Sequence, residues 1–258
     1  MDNDVIDHIH TLWDELADFD SADADRSLDH LLANLCQVAN GQNATWFGAV
    51  RLVDVLPGDP VHGWRPNCIR SLHPSVPLQD AAREQSDLLE QGQVDITTIR
   101  NVALAGRFRA NRIVDLVSED WFQSDYYRRY YQQVDRSDAI WAGIPINDDA
   151  ENYIGVFRSN DHPRFTPEDR DLVALALRGL KWFCRRQMLS RGLTVASSPL
   201  TTAEREVLGG VLTGLSEKQI AANRNQSPYT THEHITNIYR KFGVRNRAAL
   251  MALWLSKA

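Results

Sequence analysis

The sequence predicts two unlike parts, a larger α+β domain in which helices flank an antiparallel sheet, and a small all-α domain of four helices behind it. Three observations carry this reading. Over residues 1–165 the apolar side chains pass from helical spacing to strand-like runs and back. From Thr201 onward the apolar spacing is helical throughout, and three of the four expected helices open with a cap. Charge divides the chain as well: residues 199–258 hold eight basic and four acidic side chains, net +4, and the remaining 20 basic and 30 acidic side chains leave residues 1–198 at −10. A basic module behind an acidic domain is the balance expected of a nucleic-acid-binding protein.

Element by element, residues 4–18 and 26–39 have amphipathic helical spacing, the first through Val5, Ile9, Leu12, Trp13 and Leu16. ATWFGAVRLVD at 44–54 reads as a strand, whereas four prolines leave 55–75 unassigned. Residues 79–92 and 119–133 are helical by pattern. AIWAGIPI at 139–146 and NYIGVFRS at 152–159 read as neighbouring strands joined by the turn NDDAE. Thr166 then caps a long helix running to about Leu189, with Pro167 at its first position and Asp169 near its positive end. SRGLTVASSPL follows without periodicity. The expected domains are residues 1–190, a linker at 191–198, and residues 199–258.

In the last segment, Thr201 with Glu204 and Ser216 with Gln219 form capping boxes, and Ser227 precedes Pro228 at a third helix start. The spacing predicts helices near 202–213, 217–224, 228–242 and 246–256, and a short helix, a turn and a longer helix make a helix-turn-helix. Thr231, Ile235, Ile238 and Phe242 share one stripe of the third helix and face inward; Tyr229, Glu233, Thr236 and Arg240 lie opposite, bordered by His232 and Asn237. Such an outer face can enter the DNA major groove. The alternative is a four-helix accessory domain whose polar face meets solvent, and the pattern favours DNA binding over it. On the fourth helix, Leu250, Met251, Trp254 and Leu255 make an apolar band and Ala249 and Leu253 lie on another side, more than one packing face needs, so this helix is expected to help dimerise the module.

Composition excludes several classes. No apolar run approaches the ~18 residues of a membrane span, and the acidic start MDNDVIDHIH is unlike a secretory signal, so a cytoplasmic protein without a membrane partner is expected. Cys36, Cys68 and Cys184 are odd in number and far apart, which predicts free thiols without a metal or redox pair. His232 and His234 diverge by about 200° on a helix and do not make a metal pair. No phosphate-binding loop, nucleophile–base arrangement or cofactor fingerprint is present, so neither a cofactor nor an enzyme is expected.

The stretch from Leu200 to Leu250 resembles the LuxR-type (NarL/FixJ-type) DNA-binding domain, through LT..EREVL at 200–208, GLS.K.IA at 214–221, Ser227, T...H at 230–234 and NI..KFGV..R at 237–247. The resemblance implies a homodimer on double-stranded DNA. It also implies base-facing roles for His232, Glu233 and Thr236, with Tyr229 on the same surface, and backbone contacts from Lys218, Thr230, Arg240, Lys241 and Arg245. Arg224 and Gln226 stand where the family usually has apolar residues, and Thr231 replaces the usual valine; this predicts a looser module.

Before it, residues 119–185 resemble a GAF/PAS-like sensor through WFQSDYYRRYYQQV, IWAGIPI, YIGVFRS and RFTPEDRDLVALAL. A receiver domain is not supported, because the adjacent acid pairs Glu119-Asp120 and Asp148-Asp149 fall at a helix start and a turn. The Trp-x-x-x-Tyr and Asp-Pro signature of acyl-homoserine-lactone receptors is not reproduced: Val50 follows Trp46 at four residues, and Asp59-Pro60 lies in the proline-rich stretch. The resemblance implies a cavity for a small organic ligand. Trp46, Trp121, Tyr126, Tyr130 and Trp141 are its expected walls and Arg158 its charge partner. The alternative is a ligand-independent regulator or adaptor in which these aromatics fill the core of a dimerisation or partner-binding domain.

Overall fold

The computed structural model describes residues 3–52, 57–194 and 200–255. The expected strand residues Val53 and Asp54, the expected linker residues 195–198, and the end of the fourth helix at Ser256 lie outside the described residues. In chain order the elements are α1 (Asn3–Asp18), α2 (Ala24–Ala39), β1 (Asn43–Arg51), β2 (Trp64–Ser71), α3 (Val76–Glu90), α4 (Ile96–Val102), β3 (Arg109–Arg112), α5 (Ile113–Leu116), α6 (Asp125–Tyr130), β4 (Asp138–Asn147), β5 (Ala150–Arg158), α7 (Pro167–Arg178), α8 (Lys181–Ser190), α9 (Thr202–Leu212), α10 (Glu217–Asn223), α11 (Pro228–Lys241) and α12 (Arg247–Leu255). An antiparallel sheet flanked by helices, followed by a helical module, is the expected fold class.

By contacts the chain gathers into two units, Met1–Asp14 with Asp29–Lys181, and Glu15–Leu28 with Trp182–Ala258. In the first, five antiparallel strands run in the order β2-β1-β5-β4-β3. Side chains alternate across a strand, so β1 sends Thr45, Phe47 and Ala49 to one face and Ala44 and the fully buried Trp46 to the other. On β4 and β5, Trp141 and Tyr153 share the face of Phe47, while Ile140, Ala142, Ile154 and Val156 are fully buried on the opposite side. There α7 lies against β3 and β4.

β2 and β3 are edge strands, and the sequence reading assigned neither. Pro66 pairs with Ala49 within β2; an edge strand tolerates the missing N–H that a central strand would not. The helix expected at 119–133 is instead a 3-10 turn (Glu119–Gln123), α6 and a second 3-10 turn (Gln132–Val134). Ser124 interrupts it by turning extended and capping α6 through Tyr127 N–H at 3.1 Å.

The single helix expected from Thr166 to Leu189 is also two. Its start holds, since Thr166 and Asp169 close a capping box. It breaks at Gly179 because the Trp13 indole Nε1 donates to the Ala176 carbonyl at 2.8 Å. That carbonyl would have accepted the Leu180 N–H in a continuous helix, and Leu180 bonds to Leu177 instead. A side chain at Gly179 would come within 3.3 Å of the same indole.

In the second unit, Leu189 of α8 joins a core with Leu200, Val207, Leu208, Val211, Ile220, Ile235, Ile238, Phe242 and Leu250. Arg191 is buried beside it, bonded to Gln187 Oε1 at 2.6 Å and Asp25 Oδ1 at 2.5 Å.

The sheet of the first unit also holds a buried ion pair. Arg109 reaches Glu151 at 2.9 Å and donates to Asn101 Oδ1 at 2.7 Å and the Tyr153 hydroxyl at 2.7 Å. Gly143, opposite on β4, makes the space, since a Cβ there would meet the guanidinium at 2.5 Å. Replacing Glu151 by Ala leaves this guanidinium buried without its counter-charge. The variant should lose about 3–5 kcal/mol of stability, read as a lower urea midpoint by tryptophan fluorescence.

Candidate functional site

The face of the sheet that carries Phe47, Trp141 and Tyr153 does not close on itself. Between it and the helices α3, α4 and α6 lies a cavity of about 620 Å³, within the range that holds small organic molecules. Its apolar wall is built from Phe47, stacked on Tyr153 at 4.9 Å, and Trp141, edge-on to Phe47 at 5.7 Å. Gly155 makes room for Trp141, because a Cβ there would meet its ring at 2.8 Å. From the helical side, Tyr126, Tyr130 and the following Tyr131 face the same space. Tyr126 Oη accepts from Gln85 Nε2 at 2.6 Å; burial first, and the neighbouring Tyr131 and Asp95 after it, push its phenol up. Burial likewise pushes Tyr131 up to about 12, against a hydrogen bond from Trp141. Both phenols are therefore neutral donors at physiological pH.

Of the six expected ligand residues, the cavity brings together Tyr126, Tyr130 and Trp141. The other three stand elsewhere, and each for a reason of direction. Trp46 follows Thr45 on β1 and so points away, where its Nε1 donates to Asn152 Oδ1 at 2.5 Å. Trp121 sits one layer back among Phe122, Tyr126, Tyr127 and Tyr131. It backs the cavity wall through Tyr126, Tyr131 and Asp95, to which its Nε1 donates at 2.9 Å, and does not line the cavity itself. Arg158 lies on the far face of β5, bonded to the Ala39 carbonyl at 3.1 Å and Asp169 at 3.2 Å.

Sequence reasoning missed most of the polar wall. Asp95 caps α4, taking the Thr97 N–H at 2.8 Å and its hydroxyl at 2.6 Å; the run Asp95-Ile96-Thr97 before an apolar pattern is a cap signal that could have placed it. Arg65 and Arg70 come from β2, hidden by the prolines around it. Arg136 comes from the turn before β4, where nothing local marks it.

In the second unit, the outer face of α11 is open. Tyr229, His232, Glu233, Thr236 and Arg240 are exposed, as are Lys218 on α10 and Arg245 in the turn after α11. Thr230 is half-buried and its hydroxyl lies 2.9 Å from Ser227 Oγ. His232 Nδ1 is 3.1 Å from Glu217, and Arg240 donates to Asn237 at 2.9 Å.

Lys241 is the exception among the expected backbone contacts. Its Nζ lies 2.7 Å from Glu204 Oε2, and both side chains are largely buried. Burial disfavours the Glu204 charge, but hydrogen bonds from Lys241 and Thr201 outweigh it and hold the carboxyl below its ordinary value. This lysine braces α11 to the start of α9.

The departures in the module resolve as packing. Arg224 Nε donates to Gln226 Oε1 at 3.1 Å and its guanidinium pairs with Glu206, so the two polar substitutions satisfy each other. Thr231 is fully buried and its hydroxyl has no hydrogen-bond partner among the described residues. On α12, Leu250 is core, and Trp254 is half-buried and packs on Phe242 at 5.8 Å. The side chain of Leu255 lies outside the described residues.

Residues 198–254 match the family described as bacterial regulatory proteins, luxR family. This segment is a LuxR-family helix-turn-helix domain. Among curated proteins, "Probable transcriptional regulatory protein SgaR" of Hyphomicrobium methylovorum is 44% identical over 57 residues, 22% of this chain and 27% of that protein. The match thus spans about a quarter of that relative's length. Among solved structures, the VqsR ligand-binding domain of Pseudomonas aeruginosa aligns with 70% of this chain and 96% of its own, at 18% identity and a TM-score of 0.50, a likeness of fold. SdiA in complex with octanoyl-rac-glycerol aligns with 98% of this chain and 95% of its own, at 13% identity and a TM-score of 0.48.

Two predictions follow from the module. Thr231→Val removes an unsatisfied buried hydroxyl at nearly constant volume and should raise stability by about 1–2 kcal/mol in urea unfolding. Glu204, with its carboxyl held low, contributes stability in full above its ordinary value of 4.5, and that contribution is lost as pH falls through the lower folded value. Lys241→Met should cost about 3 kcal/mol near pH 7, and the difference from wild type should shrink in unfolding curves taken below pH 4.5.

Proposed function

We propose that this chain is a homodimeric transcriptional regulator, without catalytic activity, in which a small organic ligand held by the N-terminal domain controls DNA binding by the LuxR-family module. The observation that supports it is the coexistence, in one chain, of that module and an aromatic cavity of about 620 Å³. Residues 1–190 are assigned to sensing, 191–198 to the linker and 199–258 to DNA binding. No helix among the described residues is long and apolar enough to cross a membrane, and a cytoplasmic location is part of the proposal.

At the DNA, α11 enters the major groove. His232, Glu233 and Thr236 read base edges beside Tyr229, and Lys218, Thr230, Arg240 and Arg245 hold phosphates. Glu233 repels phosphate but accepts from a cytosine amino group, which favours C·G pairs under it. At the cavity, Tyr126, Tyr130 and Trp141 enclose the ligand. Occupancy changes DNA binding only to the extent that the ligand binds the two functional arrangements of the dimer with different affinity.

The test is fluorescence anisotropy of the full chain on the DNA upstream of its own gene, across a salt series. Replacing Lys218, Arg240 or Arg245 by Ala should each reduce the slope of log affinity against log salt by about 0.9, whereas Lys241→Met leaves the slope unchanged. Glu233→Ala should shift preference among sites by about 1–3 kcal/mol per base contact. Absence of salt-sensitive binding would overturn the DNA reading. A cavity variant such as Tyr126→Trp that neither changes DNA binding nor alters the small molecules co-purified with the protein favours a ligand-independent dimerisation domain.

A further inference from the structure

The charges on the cavity wall are unbalanced. Four arginines line it, Arg65, Arg70, Arg83 and Arg136, against one carboxylate, Asp95. Three of the four are neutralised locally: Arg65 by Asp59 at 3.1 Å and Glu90 at 3.0 Å, Arg70 by Asp29 at 2.5 Å, and Arg83 by Asp80 at 3.0 Å. Asp95 has its charge spread over the Thr97 N–H, the Thr97 hydroxyl and the Trp121 indole. Arg136 is different. Among the described residues it belongs to no ion pair; its guanidinium lies 3.5 Å over the Phe157 ring and donates to Thr45 Oγ1 at 3.2 Å. Burial pulls it down to about 10, which leaves it cationic at neutral pH.

A guanidinium presents five N–H donors in a planar fork suited to an oxyanion. Here one hydroxyl occupies one of them, and an aromatic face backs the plane. Thr45 Oγ1 in turn lies 2.9 Å from Ser71 Oγ, also on the wall, so two hydroxyls stand beside the cation. Across the sheet from this group the wall is aromatic, formed by Phe47, Trp141 and Tyr153.

Resting on the reading of this cavity as a ligand site, we propose that its ligand is an organic anion, a carboxylate or sulfonate on an apolar body, and that Arg136 is the charge partner, with Thr45 and Ser71 beside it. The anion supplies the counter-charge that the protein supplies to the other three arginines. Its apolar body lies against Phe47, Trp141 and Tyr153. A neutral molecule of the same shape leaves Arg136 desolvated and unpaired, so the cavity selects for charge as well as size.

Two probes separate these contributions: 8-anilinonaphthalene-1-sulfonate, and N-phenyl-1-naphthylamine, which is the same skeleton without the sulfonate. Calorimetric titration of the full chain should show one site per chain for each, with the sulfonate bound roughly 10- to 100-fold more tightly. Arg136→Gln should collapse that ratio to about 1 with the neutral probe's affinity retained, and Arg136→Lys should restore part of it. Retained affinity for the neutral probe shows that the glutamine variant is folded. Equal binding of the two probes by wild type, or a ratio unchanged by Arg136→Gln, overturns the anion proposal. The cavity itself is tested by Ala82→Trp on its wall: loss of the neutral probe in that variant upholds the cavity reading whatever the ratio, whereas failure of both probes to bind wild type at a defined site overturns cavity and anion readings together.

Discussion

An antiparallel strand must serve two environments at once, and the N-terminal part of this protein is organised by that constraint. Along β1, Thr45 and Phe47 go to the cavity while Ala44 and Trp46 go to the opposite core, and one residue of slip would exchange the two sets. The register of β1, β5 and β4 brings Phe47 opposite Tyr153 and Gly155 opposite Trp141. The aromatic wall therefore follows from pairing the three central strands. Gly143 and Gly155 are small because Arg109 and Trp141 need the volume in front of them.

Polar groups placed on such a face must be partnered, and the pattern of partnering separates structure from site. Arg109 is closed in by Glu151, Asn101 and Tyr153 and has nothing left to offer a ligand. Arg158, on the other face, is paired with Asp169 and donates to the Ala39 carbonyl. Arg136 carries the same charge with the Phe157 ring behind it and a hydrogen bond to one hydroxyl, and with no carboxylate among the described residues. Three arginines of one domain thus have three fates, and the difference lies in which carboxylates the fold brings within reach.

The C-terminal module shows the same economy on a smaller scale. α11 divides cleanly, with Thr231, Ile235 and Ile238 buried and Glu233, Thr236 and Arg240 exposed. Lys241, one residue beyond Arg240, has turned far enough round the helix to meet Glu204, and a basic residue near a basic face has become a brace. Arg224 and Gln226, polar where the family is usually apolar, bond to each other and to Glu206, so the module keeps its packing with a different chemistry.

How much of this was legible in the sequence depends on the range of the interaction. The first three helices of the module and the start of α7 were readable because capping signals such as Thr201 with Glu204 and Thr166 with Asp169 lie three residues apart and act before any tertiary contact forms, and the fourth helix from its apolar spacing. The strands at 138–158 were readable from composition and their turn, and Tyr126, Tyr130 and Trp141 from their place on expected elements. What one sequence does not contain is the partner of a side chain across the fold. The break at Gly179 depends on an indole from Trp13, 163 residues from the carbonyl it takes, and the split of the aromatic run at Ser124 was settled by competing caps. β2 was hidden by prolines that only its edge position makes acceptable. The sequence by itself determined the fold class, the LuxR-family module and the presence of an aromatic-rich domain before it, because periodicity, caps and charge are local. Tertiary structure alone decided which aromatics face the cavity, that Lys241 pairs with Glu204 and Arg158 with Asp169, and that Arg136 meets no carboxylate among the described residues, because strand register, helix packing and the path of the turns determine which charges meet.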